Sequence, residues 1–463
     1  MNITFLIGNG FDIQMGLASA CRTVEAHYIS LKKEDSWLQA FQQRMEGQKE
    51  YWSDFETAIG EYTNSFADHQ QAKYQLCLDD FSVELIQYLQ REESKIDYTL
   101  CLEETQKEFF RSFSNYDADI PNRYKNEINA IISKNNEVHF RFVSFNYTHV
   151  FDNCLKQTFT KNNMIVGNHV ARGTRYNHFV NKDVLHIHGE LPGPIIMGVD
   201  NQDQVLNKKW AEQRRFQQKL IKPVINNRAG SLVDDNVKKL IIESSIICIF
   251  GMSLGETDKT WWKLLGNWLK GEDRRLVIFG HNDDYSQVGL THPRRFAIQD
   301  DLIDRFLDLA EIQETERDLI ADKIFAVINP RLFNINLVQL TDQKKKSAGI
   351  NARDIAESRA RELEEARKLT EARARDLEKV KAIESERNLL ETRARELAEA
   401  RARDLEKVKA IESERNLLET RVRELKEARA RDLETVKAIE LEVAKTRELN
   451  EASIIALREA QGQ

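Results

Sequence analysis

The sequence predicts an α/β protein: a doubly wound parallel sheet, interrupted by a helical insertion and followed by a long helical tail. Three observations carry this. The runs "NITFLI", "VHFRFVSF", "VLHI", "SSIICIF" and "RRLVIFG" are short, rich in β-branched and aromatic residues, and several are apolar on both faces, as strands buried in a parallel sheet are. Between the first and second run lie roughly 130 residues of helical pattern, including "VEAHYISLKKE", "YWSDFETAIGEYTNSF" and "FSVELIQYLQREE", which places the insertion at about residues 20–135. All six prolines precede residue 331, and from about residue 343 the chain is almost entirely Ala, Glu, Arg, Lys, Leu, Asp and Ile. The expected division is therefore a domain over 1–342 and a charged helix over 343–463.

The tail repeats itself. "ARARDLEKVKAIESERNLLETRARELAE" starts at Ala372, recurs from Ala400 and begins again at Ala428, a period of 28 residues or four heptads. Its inner line runs Val380, Ile383, Arg387, Leu390, Ala394, Leu397, Arg401, Leu405 and Val408, with steps averaging 3.5 residues, the period of a left-handed coiled coil. Self-association through this tail is the expectation. The alternative is a solvated single helix held by i,i+4 Glu–Arg and Glu–Lys pairs.

Composition narrows the class. A net charge of −7 and a pI near 5.9 give no reason to expect non-specific nucleic-acid binding. No apolar stretch is long enough to span a bilayer, and "MNITFLIGNGFD" lacks the basic start of a signal peptide. The five cysteines, Cys21, Cys77, Cys101, Cys154 and Cys248, form neither a CxxC pair nor a disulfide framework. A cytoplasmic protein is the expectation.

In such sheets ligands sit at the carboxyl ends of the strands, so the residues that follow each strand matter most. After the first come Gly8, Asn9, Gly10, Phe11 and Asp12: glycines let backbone N–H groups approach phosphate oxygens, although a plain strand-to-helix turn fits equally. After the second comes Asn146, which caps a helix, as Thr148 equally can, or holds a ribose hydroxyl or a water. The third ends in "HIHGEL": His186 and His188 share a strand face and are candidate metal ligands with Glu190, or structural or catalytic histidines, and Gly189 allows close ligand approach. The fourth is followed by Gly251 and Ser253, which offer backbone approach and a hydroxyl. Glu256 and Asp258 can accept from ribose hydroxyls, while Thr257 or Asp258 can cap "KTWWKLLGNWL".

The ordered set "IGNGFD", "FNYT", "HIHGEL" with "IIMGVD" after it, and "FGMSLGETDKTWW" resembles the bacteriophage abortive-infection AbiH family over roughly residues 1–340. That family is in turn similar to the sirtuin-like, Rossmann-type fold. The resemblance implies an antiphage defence protein that binds NAD as substrate. Asn146 would position the ribose or a water and His188 would serve as general base. Gly8, Asn9, Gly10, Phe11, Asp12, His186, Gly251, Ser253, Glu256 and Asp258 would contact the nucleotide, and no metal is expected. The paired CxxC zinc module of sirtuin deacetylases is missing and no Arg-bearing loop is evident, which fits NAD hydrolysis to ADP-ribose and nicotinamide better than deacetylation. A phage-derived trigger or a partner defence protein is implied. The competing expectation is a nucleotide-binding sensor that oligomerises through its tail without catalysis.

Overall fold

A computed structural model describes residues 1–46, 52–160, 164–286, 291–347, 361–372, 393 and 413–452. The elements run β1 (Asn2–Ile7), α1 (Gly10–Gln14), α2 (Cys21–Ser30), α3 (Ser36–Met45), α4 (Trp52–Tyr62), α5 (Gln71–Glu93), α6 (Leu102–Ser114), α7 (Asn122–Ile132), β2 (Val138–Ser144), α8 (Val150–Thr158), β3 (Ile165–Ala171) and β4 (Thr174–His186). They continue with α9 (Lys208–Ala211), α10 (Arg214–Leu220), α11 (Lys222–Arg228), α12 (Val233–Glu243), β5 (Ser244–Phe250), α13 (Lys259–Trp268), β6 (Arg275–Gly280), α14 (His292–Leu309), α15 (Arg317–Ala321), β7 (Ile324–Ile328) and α16 (Leu337–Ser347).

The seven strands form one sheet in the order β3-β4-β2-β1-β5-β6-β7. Every pairing is parallel except β3 with β4. Counting only the six parallel strands, the chain steps outward from β1 through β2 and β4, then returns to the other side of β1 for β5, β6 and β7. That is the 3-2-1-4-5-6 order of doubly wound dinucleotide-binding sheets, and its direction reverses between β1 and β5.

Side-chain parity explains why β1 and β5 are so apolar. Ile3, Phe5 and Ile7 of β1, with Phe140, Phe142, Cys248 and Phe250, face a core built with α6, α7, α8 and α16. Leu6, Val143, Ile247 and Ile249 face the opposite core, built with α12, α13, α14 and α15. A third core joins α2–α5 to the Leu191–Ile221 segment, with Tyr147 and Ile195 packed against it, so the first part of the expected insertion becomes a helical cap beside the carboxyl ends of β2 and β4, while α6 and α7 pack on the sheet.

Three strands differ from expectation. β4 reaches back to Thr174 and pairs antiparallel with the unexpected β3, because this edge hairpin is polar and half exposed and shows no apolar run. β7, all buried, has five residues and follows a helical pattern directly. All five cysteines are free and buried.

The contacts divide the chain into Met1–Ala360 and Arg361–Gln463. α16 runs through the expected boundary at 342/343: Leu337 is buried and the Thr341 hydroxyl accepts from the Asp97 N–H at 3.1 Å. In the second unit residues 361–372 and 413–452 are helical, with i,i+4 pairs such as Arg415–Glu419 at 3.0 Å. Leu418, Val422, Leu425, Val436, Ile439 and Val443 are half exposed or more. The inner line from Val380 to Val408 lies outside the described residues. Among the described residues no helix is long and apolar enough to cross a membrane.

Candidate functional site

The loops after β1, β2 and β5 come together where the strand order reverses. Gly8 N–H donates to the Phe250 carbonyl at 2.9 Å and Gly10 N–H to the Gly251 carbonyl at 2.8 Å, while Phe11 N–H donates to the Gly8 carbonyl at 2.9 Å. A Cβ on Gly10 would lie 2.7 Å from Gly251 Cα, and one on Gly251 (φ +70°) only 2.6 Å from Phe11 N. The glycines therefore interlock the loops after β1 and β5. The Gly8, Gly10 and Phe11 amides already donate to protein carbonyls, so they are not the open phosphate donors that the glycine spacing suggests. The Phe11 ring is fully buried against Phe151, Phe333 and Phe109, so it belongs to the core. The Asn9 side chain turns away to Ser19, donating to its carbonyl at 2.8 Å and accepting from its hydroxyl at 2.7 Å.

Asp12 and Asn146 meet directly. Asn146 Nδ2 donates to Asp12 Oδ1 and to the Gly8 carbonyl, both at 3.1 Å, and Thr148 Oγ1 donates to Asp12 Oδ2 at 2.6 Å. All three side chains are buried. Neither Asn146 nor Thr148 caps α8, whose N-cap position is His149, without a side-chain cap bond. Burial pushes the Asp12 carboxyl up to about 7, against the hydrogen bonds from Thr148 and Asn146, with Glu93 adding to the rise. A carboxyl that changes charge near neutrality, fixed to an asparagine at the switch point, is the arrangement a functional site uses.

His188 belongs to a second group. Its Nε2 lies 3.1 Å from Asp258 Oδ1, off the line of a good hydrogen bond, and its buried Nδ1 has no hydrogen-bond partner among the described residues. Asp258 Oδ1 also takes Lys222 Nζ at 3.0 Å, and Lys222 reaches Glu56 Oε2 at 2.7 Å. Burial alone would raise the Asp258 carboxyl; Lys222 and His188 outweigh it and hold that carboxyl well below its usual range. Burial would lower Lys222, and Asp258 and Glu56 raise it instead. Asp258 therefore stands as a charged neighbour of His188 Nε2. Gly189 (φ +77°) serves the backbone: a Cβ there would meet the Pro194 carbonyl at 2.2 Å, so the expected room for a ligand is filled.

The two histidines part company after β4. His186 turns to α8, with Nδ1 3.0 Å from the Asn146 carbonyl and Nε2 3.0 Å from Asp152 Oδ2. Ser253 is half buried without a side-chain hydrogen bond among the described residues. Glu256 is exposed and pairs with Lys259 at 3.1 Å, outside both groups. Sequence reasoning missed Thr148 as the Asp12 partner, together with Lys222 and Glu56. Lys222 interrupts the apolar "LIKPVI", and Glu56 stands three residues before buried Ile59, so each was a buried charge in need of a partner.

Residues 4–280 match the family model for bacteriophage abortive infection AbiH. The chain belongs to the AbiH family. The match runs through β1 to the end of β6, so every candidate residue above lies within the AbiH region, while β7 and the tail lie beyond it. Membership of AbiH makes phage abortive-infection defence the function of this protein at its coarsest level. No curated protein matches the chain.

Proposed function

We propose that this AbiH protein defends against phage by hydrolysing NAD to ADP-ribose and nicotinamide once triggered, with a sirtuin-like use of its strand ends. The observation that carries the reading is the buried Asn146–Asp12–Thr148 group at the reversal of a 3-2-1-4-5-6 sheet, the place where such sheets bind dinucleotides. The carbon–nitrogen bond between ribose C1′ and nicotinamide breaks, its electron pair leaving with nicotinamide, and an oxocarbenium-like centre forms. Asp12, ionised in part near neutrality, stabilises that positive charge. Asn146 orients the ribose hydroxyls or the attacking water. The water oxygen bonds to C1′ and its proton passes to His188 Nδ1, the ring nitrogen not beside Asp258, with Asp258 holding the imidazolium that results. General-base assistance of this kind contributes about 10²–10⁴-fold.

The closed glycine loops change one part of the expectation. With the Gly8, Gly10 and Phe11 amides already bonded, the pyrophosphate is held by other groups, and the glycines act through close packing of the two loops.

A second reading has its own support: a nucleotide-binding sensor that assembles through the tail, favoured by the exposed apolar side chains of residues 413–452. The two separate in one experiment. Purified protein is mixed with NAD and infected-cell lysate, and nicotinamide and ADP-ribose are quantified beside NAD binding. Turnover that disappears in Asn146→Ala and His188→Ala supports hydrolysis. Tight binding without turnover, with both side chains needed for binding, supports the sensor. Turnover undiminished in both variants removes the proposed site.

A further inference from the structure

We propose that His149, Asp152 and His186, with Glu190 completing the shell, bind one divalent transition-metal ion of the zinc class. One ligand atom from each of the first three lies within 4.8 Å of the others. His149 stands at the N-cap of α8 and Asp152 three residues on, so the helix sets both on one side, and β4 delivers His186 opposite them. Glu190 Oε2 lies 3.8 Å from His149 Nδ1 and 3.9 Å from His186 Nε2.

Hydrogen bonding fixes which nitrogen each ring presents. His149 Nε2 lies 2.6 Å from the Leu191 carbonyl, and a carbonyl only accepts, so Nε2 carries the hydrogen and Nδ1 the lone pair. That Nδ1 is buried and has no hydrogen-bond partner among the described residues. His186 Nδ1 donates likewise to the Asn146 carbonyl at 3.0 Å, leaving Nε2 toward Asp152. Two imidazoles, each anchored through its far nitrogen to a backbone carbonyl and each offering the near one to the same point, reproduce the outer-shell pattern of metal-binding histidines. Two nitrogens with carboxylate oxygens select a zinc-like cation over magnesium or calcium, which prefer oxygen alone.

The surroundings favour a cation further. Glu93 accepts from the His149 backbone N–H and adds a carboxyl near Asp152. Bound zinc holds its ligands at about 2.0–2.1 Å, which brings them to within about 3.4 Å of each other. Rotation of the half-buried His149 ring and the exposed Glu190 side chain takes up the difference. Sequence spacing pairs His186 with His188 as candidate ligands; folding instead gives His188 to Asp258 and His186 to α8. Because His186 also holds the Asn146 carbonyl, a cation here would fix the β2–α8 turn that carries Asn146 and Thr148.

The test uses full-length protein stripped with a chelator and titrated with zinc chloride by calorimetry, with no NAD present, so its outcome is independent of the hydrolysis reading. One equivalent per chain is expected. His149→Gln and Asp152→Asn should weaken binding by at least about 100-fold, since loss of an outer-shell partner alone costs about 10–100-fold. Binding should persist in His178→Gln, which breaks the separate His169–His178 contact at 3.0 Å. X-ray absorption of the zinc-loaded wild type needs no variant and should show imidazole and carboxylate ligands without sulfur. Absence of stoichiometric binding, full binding in both site variants, or a sulfur shell from buried Cys154 would overturn the proposal.

Discussion

Replacing Asp12 by asparagine tests the most unusual electrostatic feature of the strand ends. The folded carboxyl is pushed up to about 7 by burial, from an ordinary 3.8. Below about pH 4 it is protonated in both states and contributes nothing to pH dependence. Between about pH 4 and 7 the unfolded chain gives up this proton while the folded protein keeps it, so stability falls as pH rises. Above about 7 both forms are ionised and the loss is complete. A difference of about three units at 1.36 kcal/mol each sets the loss at about 4 kcal/mol. The amide introduced by Asp12→Asn would keep the geometry, accepting from Asn146 Nδ2 and donating to Thr148 Oγ1, and it cannot ionise. The variant should match wild type at pH 4 and exceed it by up to about 4 kcal/mol at pH 8. Urea unfolding followed by tryptophan fluorescence measures this in the first unit alone, because all six tryptophans precede residue 269. Glu93, also raised by burial and facing Asp12, is controlled by repeating the comparison in Glu93→Gln. Chelator keeps adventitious cations out. Parallel pH profiles for wild type and Asp12→Asn would refute the reasoning.

Three other outcomes follow from the same geometry. Lys222→Met leaves Glu56 and Asp258 buried without their cation and should destabilise the first unit by about 3–5 kcal/mol, read as a lower urea midpoint. Gly10→Ala drives a methyl to 2.7 Å from Gly251 Cα, backbone against backbone, and should cost about 1–3 kcal/mol, read as a lower melting temperature. Deleting residues 350–463 should lower the subunit count in sedimentation while leaving the tryptophan-monitored stability unchanged; an unaltered count contradicts tail-driven assembly.

What could be read from the sequence, and what could not, follows from where each residue finds its partners. β1 and β5 are legible because both faces are buried, which leaves continuous apolar runs. β3 and most of β4 are not, since an edge hairpin solvated in part tolerates residues such as His169, Tyr176 and Asn177. The strand-end positions of Asp12, Asn146 and His188 are legible from alternating strands and loops, but their partners are not. Lys222 and Glu56 lie 166 residues apart and meet only through the cap. The glycines illustrate the opposite failure: their spacing suggests a ligand, whereas the space they leave is filled by the neighbouring loop. His186 and His188 share strand parity in sequence, and the strand ends between them.

The central claim is that this AbiH protein acts by destroying NAD through Asn146 and His188. The most direct measurement is intracellular NAD through a phage infection, in cells carrying wild type, Asn146→Ala or His188→Ala at equal protein levels. The account predicts that NAD falls before lysis only with wild type, that nicotinamide and ADP-ribose rise with it, and that both variants lose protection. Protection by wild type with NAD unchanged, or protection retained in both variants, would contradict it.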